Sequence, residues 1–252
     1  MDGQNSLIIP GVTEDPLSLL RRCGGYYDCP LGPDGKPQGP LVGYPDRYDG
    51  ERQCVGFTYA NFGAAEEHPP VVEFFSKILV GKIADRVIRA DVFCGIPEGG
   101  RALAFNLAQL VFSRHIFAEK DVLAMKTQLS RECSQIVFER HQPRRGDKVV
   151  IVEDECGNLC GTNEILAAVE KAGATVVAIV CFLNRSLGYD SVYPGRVGEA
   201  TREIPLISVV RKPIQEYRQE EREVAAEVAA GNVVWRPKDE WGRLMAAMAA
   251  KQ

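Results

Sequence analysis

Two carboxylates stand at the end of a strongly apolar segment, where they can bind the hydroxyl groups of a sugar. The run DKVVIVED predicts a buried strand that ends in Glu153 and Asp154. Carboxylates at the carboxyl end of a strand accept hydrogen bonds from ribose 2′- and 3′-hydroxyls, and Asp154 can also hold Mg²⁺ through water. The alternative is an ordinary strand–helix connection whose acids are only solvated.

The loop after these acids has the composition of a phosphate site. It contains Gly157, Asn158, Gly161 and Thr162, and a helix is predicted directly afterwards. Backbone N–H groups of such a loop and of a helix N-terminus carry partial positive charge, so a phosphate monoester fits there. Glycine allows close approach of the backbone, and Thr162 can cap the helix or donate its hydroxyl. We predict that Asn158, Gly161 and Thr162 hold a ribose 5′-phosphate.

Strands and helices that alternate from residue 70 onward would position these residues. Apolar residues at helical spacing predict a helix in VVEFFSKILVGKIADRV, and further helices in GGRALAFNLAQLVF and in TNEILAAVEKAG, which ends at Gly173. Buried strands are predicted in ADVFCGIP, DKVVIVED, ATVVAIVCFLN and IPLISVV, and two short ones in HIFAEKDVLAM. This alternation predicts an α/β fold in which helices flank a parallel sheet.

The two ends of the chain differ from this core. Residues 1–69 are rich in Gly, Pro, Asp and Tyr, and predict an irregular, β-containing cover segment with strands in PLVGY and CVGFTYANF. Residues 213–252 predict a helical extension, with helices in YRQEEREVAAEVAAGN and WRPKDEWGRLMAAMAA. The predicted division is therefore 1–69, a core over 70–212, and 213–252.

Composition and charge exclude several classes of protein. The net charge is −4 and the pI about 5.6, which argues against a general nucleic-acid binder but not against a small anionic ligand. No apolar run reaches the length of a membrane span, and the first residues lack the pattern of a secretion signal. We expect a cytoplasmic protein that contacts neither nucleic acid nor membrane.

Cys156 and Cys160 lie close together within the predicted site loop. Metal binding or a disulfide is one interpretation, and reduced loop thiols are the other. The sequence has no paired CxxC pattern with zinc spacing, which favours reduced thiols.

The strand, the two acids and the loop together resemble the phosphoribosyl-diphosphate (PRPP) motif of type I phosphoribosyltransferases. The family usually has Thr-Thr-Gly after two apolar positions, whereas this chain has Glu155 and Cys156 and one extra residue before Gly161 and Thr162. The resemblance covers about residues 55–210. It implies the fold of that family, PRPP as a substrate, Mg²⁺ as a cofactor and a homodimer.

Two further segments resemble the parts of this family that handle the leaving diphosphate. ADVFCGIPEGGRALAFNLA resembles its pyrophosphate loop, which implies that Glu98, Gly99 and Gly100 contact the diphosphate. AMKTQLSRECSQIVFERH falls where the family has its mobile catalytic loop, unless it is a solvated charged hairpin. The resemblance implies that four cations there stabilise the charge that develops on the diphosphate: Lys126, Arg131, Arg140 and His141.

The base is suggested by resemblance to one subfamily, the orotate phosphoribosyltransferases. CFLNRSLG resembles the Asp-Arg-x-x-Gly strand end of that subfamily, which implies that Arg185 contacts the orotate carboxylate, with Asn184 in place of the usual acid. FTYANF resembles the segment that frames the base, with Tyr59 and Asn61 as the candidates.

These residues favour an enzyme that transfers ribose 5-phosphate from PRPP to a nucleobase, with orotate as the first candidate. The alternative is a catalytically weak or inactive regulatory protein of the same fold that binds PRPP or a nucleotide; the altered phosphate loop and the few loop cations motivate it. A Rossmann methyltransferase is less favoured, because here the carboxylates precede the glycines.

Overall fold

The computed structural model of the chain describes residues 7–47, 51–120, 136–197 and 200–250. Contacts divide it into two compact units, one made of 1–16 and 65–213, the other of 17–64 and 214–252. The division into 1–69, 70–212 and 213–252 stays a prediction.

The described ranges contain short and long helices and strands, numbered here in chain order. The helices are α1 (Pro16–Arg22), α2 (Gly63–Glu66), α3 (Pro69–Asp85), α4 (Gly100–Leu110), α5 (Cys160–Lys171), α6 (Ala225–Ala229) and α7 (Trp241–Ala249). The strands are β1 (Tyr26–Asp28), β2 (Leu41–Arg47), β3 (Gln53–Gly56), β4 (Thr58–Ala60), β5 (Val92–Gly95), β6 (Arg114–Phe117), β7 (Glu119–Lys120), β8 (Ile136–Val137), β9 (Lys148–Cys156), β10 (Thr175–Asn184), β11 (Val192–Val197), β12 (Ala200–Arg211) and β13 (Val233–Val234). No helix of the described ranges has both the length and the apolar character that a membrane span needs.

The first unit is built around a six-stranded sheet with the order β11-β12-β10-β9-β5-β6. Neighbours from β12 to β6 are parallel, and only the edge strand β11 is antiparallel to its neighbour. Ile151 of β9 lies opposite Ile179 of β10 and Cys94 of β5. The predicted α/β fold with a largely parallel sheet is therefore confirmed, and the carboxyl ends of β5, β9 and β10 share one edge.

Helices cover both faces of this sheet because β9 and β10 are apolar on both sides. On one face, Ile151 belongs to the same buried cluster as Ile165 and Leu166 of α5. On the other, the ring of Phe75 in α3 contacts that of Phe182 in β10, with centroids 4.4 Å apart. The apolar strands thus hold α5 against one face and α3 against the other.

The second unit contains two small sheets, one with the order β13-β2-β3 and one that pairs β1 with β4. This confirms the β-containing N-terminal segment, and α7 confirms the last predicted helix. The helix predicted over YRQEEREVAAEVAAGN is wrong in extent, since only Ala225–Ala229 is helical. Within the predicted segment only Val224 is buried, so little apolar packing supports a longer helix.

Leucine truncation tests whether the packing of α5 carries stability. Leu166 is fully buried and Leu187 is 60% exposed. We expect Leu166→Ala to lower the free energy of unfolding by about 2–5 kcal/mol, because it leaves a cavity in the core. Leu187→Ala, the matched control, should change it by less than about 0.5 kcal/mol. Urea denaturation followed by circular dichroism measures both, and equal losses would contradict the packing described here.

Candidate active site

The loop after β5 lies directly on the end of β9. The backbone N–H of Ile96 donates to the carbonyl oxygen of Val152 at 2.9 Å. A Cβ atom on Gly100 would overlap that same carbonyl, and one on Gly99 would overlap the carboxylate of Asp154. The predicted diphosphate loop can therefore lie against the predicted ribose-binding acid because Gly99 and Gly100 have no side chains.

Glu98 of this loop is exposed, and its peptide bond with Pro97 is cis. The helix α4 begins at Gly100, so the loop ends at a helix N-terminus. The structure thus brings Glu98, Gly99 and Gly100 beside Asp154, while their contact with a diphosphate stays a prediction.

Glu153 and Asp154 face opposite sides of the sheet, as successive residues of a strand do. Glu153 accepts a hydrogen bond from the hydroxyl of Thr162 in α5, with 2.6 Å between the oxygens. Asp154 instead lies against Gly99, just before α4. A ligand at this edge of the sheet would therefore meet one acid from each face.

Burial raises the pKa of Glu153 to about 8, and the nearby charges of Asp154 and Glu155 raise it further, while the hydrogen bond from Thr162 opposes the shift. At neutral pH this carboxyl group is therefore largely protonated. A protonated acid donates a hydrogen bond as well as accepting one. Glu153 and Asp154 thus differ in chemistry as well as in direction.

The helix α5 begins without a side-chain cap. Its N-cap is Leu159, in the left-handed conformation with φ 60°, and the apolar side chain of this residue makes no capping bond. Thr162 is fully buried and is not the cap, contrary to one of the two roles expected of it. Asn158 is exposed and Gly161 is partly exposed in the first turn. Backbone N–H groups therefore remain the principal donors that this helix end offers to an anion.

Arg185 follows β10 and is 8% exposed. Its guanidinium Nε forms an ion pair with the carboxylate of Glu155, at the end of the neighbouring strand β9. Gly157 packs on the same guanidinium, since a Cβ there would lie 2.8 Å from the nearer terminal nitrogen of Arg185. The sequence indicated Arg185 but not Glu155, because the two residues are 30 positions apart and meet only through strand pairing.

Asn184 organises the loop that follows β10. It is fully buried, and its amide nitrogen donates to the carbonyl oxygens of Tyr189 and Asp190, each at 3.0 Å. Its amide oxygen accepts from the backbone N–H of Ser186 at 3.1 Å. The amide thus satisfies three backbone groups and fixes the loop that carries Arg185.

The cationic candidates separate into two groups. Lys126 and Arg131 lie outside the described residues. The backbone N–H of Arg140 donates to Glu119 at 3.2 Å, and the ring of His141 contacts that of Phe117 with centroids 5.0 Å apart. Arg140 and His141 are thus held beside β6 and β7, and the structure does not bring them against the acids of β9.

Tyr59 and Asn61 belong to the second unit. The ring of Tyr59 stacks on Tyr44, with centroids 6.3 Å apart, and also approaches Trp241 at 6.0 Å. The backbone N–H of Asn61 donates to the carbonyl oxygen of Gly25 at 2.7 Å. Their roles as base contacts stay predictions.

Cys156 is a free thiol that is 1% exposed. Hydrogen bonding with Cys181 and burial raise the pKa of this thiol well above its usual value. A buried, protonated thiol reacts poorly, which is consistent with the interpretation of Cys156 as a reduced cysteine. The side chain of Cys160 lies outside what the structure describes.

A cavity of about 460 Å³ opens beside β6. Its walls are mainly apolar and include Val72, Phe105, His115 and Phe117. Burial lowers the pKa of His115, and the charge of His141 lowers it further. None of the residues predicted to hold PRPP lines this cavity.

Glycine substitutions test the contact between the two loops. Gly100→Ala should lower the free energy of unfolding by about 1–3 kcal/mol or more, because the new methyl group overlaps the carbonyl of Val152. Gly81→Ala, in open space on α3, should instead raise it by about 0.5–1 kcal/mol. Urea denaturation measures both, and two shifts of the same sign would rule out the close approach.

The pKa of Glu153 predicts a pH dependence of stability. The folded-state pKa of about 8 exceeds the reference value of 4.5, so the folded protein binds more protons between these values. The free energy of unfolding should therefore fall as pH rises through this window. The Glu153→Gln variant cannot titrate at this position, so its free energy of unfolding should not show this decrease. The difference between variant and parent should therefore increase in favour of the variant from pH 5 to pH 8. A constant difference between the two proteins, measured by urea denaturation, would contradict the shift.

Comparison with known proteins shows which sequences and folds this chain resembles. No family model matches the chain. The sequence is 27% identical to the orotate phosphoribosyltransferase of Caldanaerobacter subterraneus subsp. tengcongensis over 164 residues. This alignment covers 65% of this chain and 75% of that protein. The adenine phosphoribosyltransferase of Leishmania tarentolae superposes with a TM-score of 0.50 at 14% identity, over 81% of this chain and 90% of the other.

The UMP synthase of Leishmania donovani also has a TM-score of 0.50 and 14% identity, over 95% of this chain and 43% of the other. These structural likenesses concern the fold, while the likeness in sequence points to orotate phosphoribosyltransferases. The chain therefore has the type I phosphoribosyltransferase fold and is related in sequence to orotate phosphoribosyltransferases.

Proposed function

We propose that this protein transfers ribose 5-phosphate from PRPP to a nucleobase, with orotate as the base, and releases diphosphate. In this reaction the bond from the ribose carbon to the diphosphate breaks, and a bond from that carbon to a ring nitrogen of the base forms. The nitrogen loses its proton, which leaves with the diphosphate or passes to solvent. The observation that supports the proposal is the close approach of Gly99 to Asp154, since the first belongs to the loop predicted to bind diphosphate and the second is the acid predicted to bind ribose.

Each part of the substrate has a matching group at the carboxyl edge of the sheet. The ribose hydroxyls would bind Asp154 from one face and Glu153 from the other. The 5′-phosphate would sit at the uncapped N-terminus of α5, near Asn158 and Gly161. The diphosphate would contact the backbone of Gly99, and Lys126 and Arg131, which lie outside the described residues, are the cations that would stabilise its charge.

The choice of orotate rests on Arg185. Its guanidinium already binds a carboxylate, that of Glu155, in a site that is little exposed. The planar guanidinium of arginine can donate two parallel hydrogen bonds to a carboxylate, which makes arginine well suited to bind one. Orotate carries such a carboxylate, so Arg185 is the group that would orient it.

Magnesium fits this site as an ion that arrives with the diphosphate. Among the described residues no cluster of three or more His, Cys, Asp or Glu side chains could form an all-protein cage. Mg²⁺ typically uses one or two carboxylates together with substrate phosphates and water, and Asp154 supplies such a carboxylate. When bound, the ion would neutralise charge on the leaving diphosphate. The expected homodimer and cytoplasmic location also stay predictions.

A non-catalytic PRPP- or nucleotide-binding protein is the second candidate. Thr162 is fully buried, and its hydroxyl donates a hydrogen bond to Glu153. In this structure the hydroxyl is therefore not directed at a phosphate. Calorimetry separates the two functions, since PRPP binding without turnover of any base would support the binding protein.

Loss of one charge at Asp154 tests the proposed reaction. With PRPP, Mg²⁺ and orotate, the parent protein should consume orotate, which is followed by its ultraviolet absorbance. Asp154→Asn should lower kcat/KM by about 10- to 100-fold, because a charged hydrogen-bond partner is lost. Asp239→Asn removes a carboxylate that is 67% exposed in the second unit and should leave the rate unchanged. Absence of turnover with every pyrimidine and purine base would rule out the transferase.

A further inference from the structure

Arg185 and Glu155 form an ion pair that strand pairing builds into the edge of the sheet. In the register of β9 and β10, Glu155 lies opposite Leu183, and Arg185 follows directly after β10. The backbone N–H of Arg185 donates to the carbonyl oxygen of Cys156 at 2.9 Å, which continues the pairing past the end of the strand. The two side chains therefore start from fixed, adjacent positions.

The pair is also shielded from water. The side chain of Arg185 is 10% exposed and that of Glu155 24%. Gly157 covers the guanidinium closely, because its missing side chain leaves room for it. Charges in such a setting interact more strongly than charges on an open surface.

We infer that Glu155 is a specificity-determining residue that competes with the carboxylate of the base for Arg185. This inference rests on the proposed function, in which Arg185 orients orotate. One carboxylate oxygen of Glu155 lies at Nε of this guanidinium, the group that would also bind the carboxylate of the substrate. An anionic base must displace it or place a second negative charge beside it, and both cost binding free energy.

A neutral base does not meet this competition. Uracil has the same ring as orotate but lacks the carboxylate, so it forms no ion pair with Arg185. The charge of Glu155 therefore lowers the preference for orotate over uracil. Two residues thus set the selectivity of the site: Arg185, which attracts the carboxylate of the base, and Glu155, whose own carboxylate competes for Arg185.

Neutralising Glu155 tests this competition. Glu155→Gln keeps the length of the side chain and an oxygen that can accept from Arg185, but removes the charge. Titration calorimetry should show orotate binding about tenfold tighter than to the parent, and uracil binding changed by less than about twofold. Glu203→Gln, an exposed residue of β12, makes the same change in net charge and should alter neither affinity.

A second variant keeps the test decisive if Glu155→Gln folds poorly. Glu155→Asp retains the charge but shortens the side chain by one methylene, so it should hold Arg185 less closely and tighten orotate binding by a smaller factor. Orotate affinity that is unchanged or weaker in both variants, an equal gain for uracil, or no orotate binding by any of these proteins would overturn the inference.

PRPP binding reports on the proposed function separately. Calorimetry with PRPP and Mg²⁺ should give the same affinity for the parent and for Glu155→Gln. A parent protein that binds no PRPP would contradict the transferase, whereas the orotate and uracil affinities decide the role of Glu155 on their own.

Discussion

The close approach of the loop after β5 to the end of β9 is the constraint on which the site depends. A carbonyl oxygen of Val152 and a carboxylate of Asp154 occupy the space that side chains at positions 100 and 99 would need. A side chain at position 100 would displace the backbone of Val152, and one at position 99 would force the carboxylate of Asp154 to move. The position of Asp154, the start of α4 and the meeting of the two loops all follow from this close approach.

Three consecutive acids at the end of β9 acquire three different environments from the alternation of the strand. Glu153 turns toward α5 and becomes a largely protonated acid through burial. Asp154 turns to the other face and lies beside the glycine loop. Glu155 again faces the first side and is paired with Arg185. Three consecutive acidic residues are thus divided into a hydrogen-bonding acid, a carboxylate predicted to bind ribose and an ion-pair partner.

Much of the fold could be predicted because α3, β9 and β10 each carry their own hydrophobic periodicity. The predicted helix is longer than α6, because the charged residues before Val224 favour helix but none of them is buried against the core. Within the site, the sequence indicated the strand-end acids and the glycine loops. It did not indicate the bond from Thr162 to Glu153 or the pair of Glu155 with Arg185, because both depend on how separate elements pack and pair.

The amide of Asn184 has a consequence for how the site responds to its surroundings. An amide donates and accepts at once and has no proton to gain or lose near neutral pH, whereas an aspartate in its place could not donate to the carbonyls of Tyr189 and Asp190 unless it were protonated. The three hydrogen bonds of this amide therefore hold the loop that carries Arg185 without depending on pH, while Asp190 of the same loop also forms an ion pair with Arg211. A change of acidity at this edge would therefore act on carboxyl groups, such as those of β9, and not on the amide that shapes the loop around Arg185.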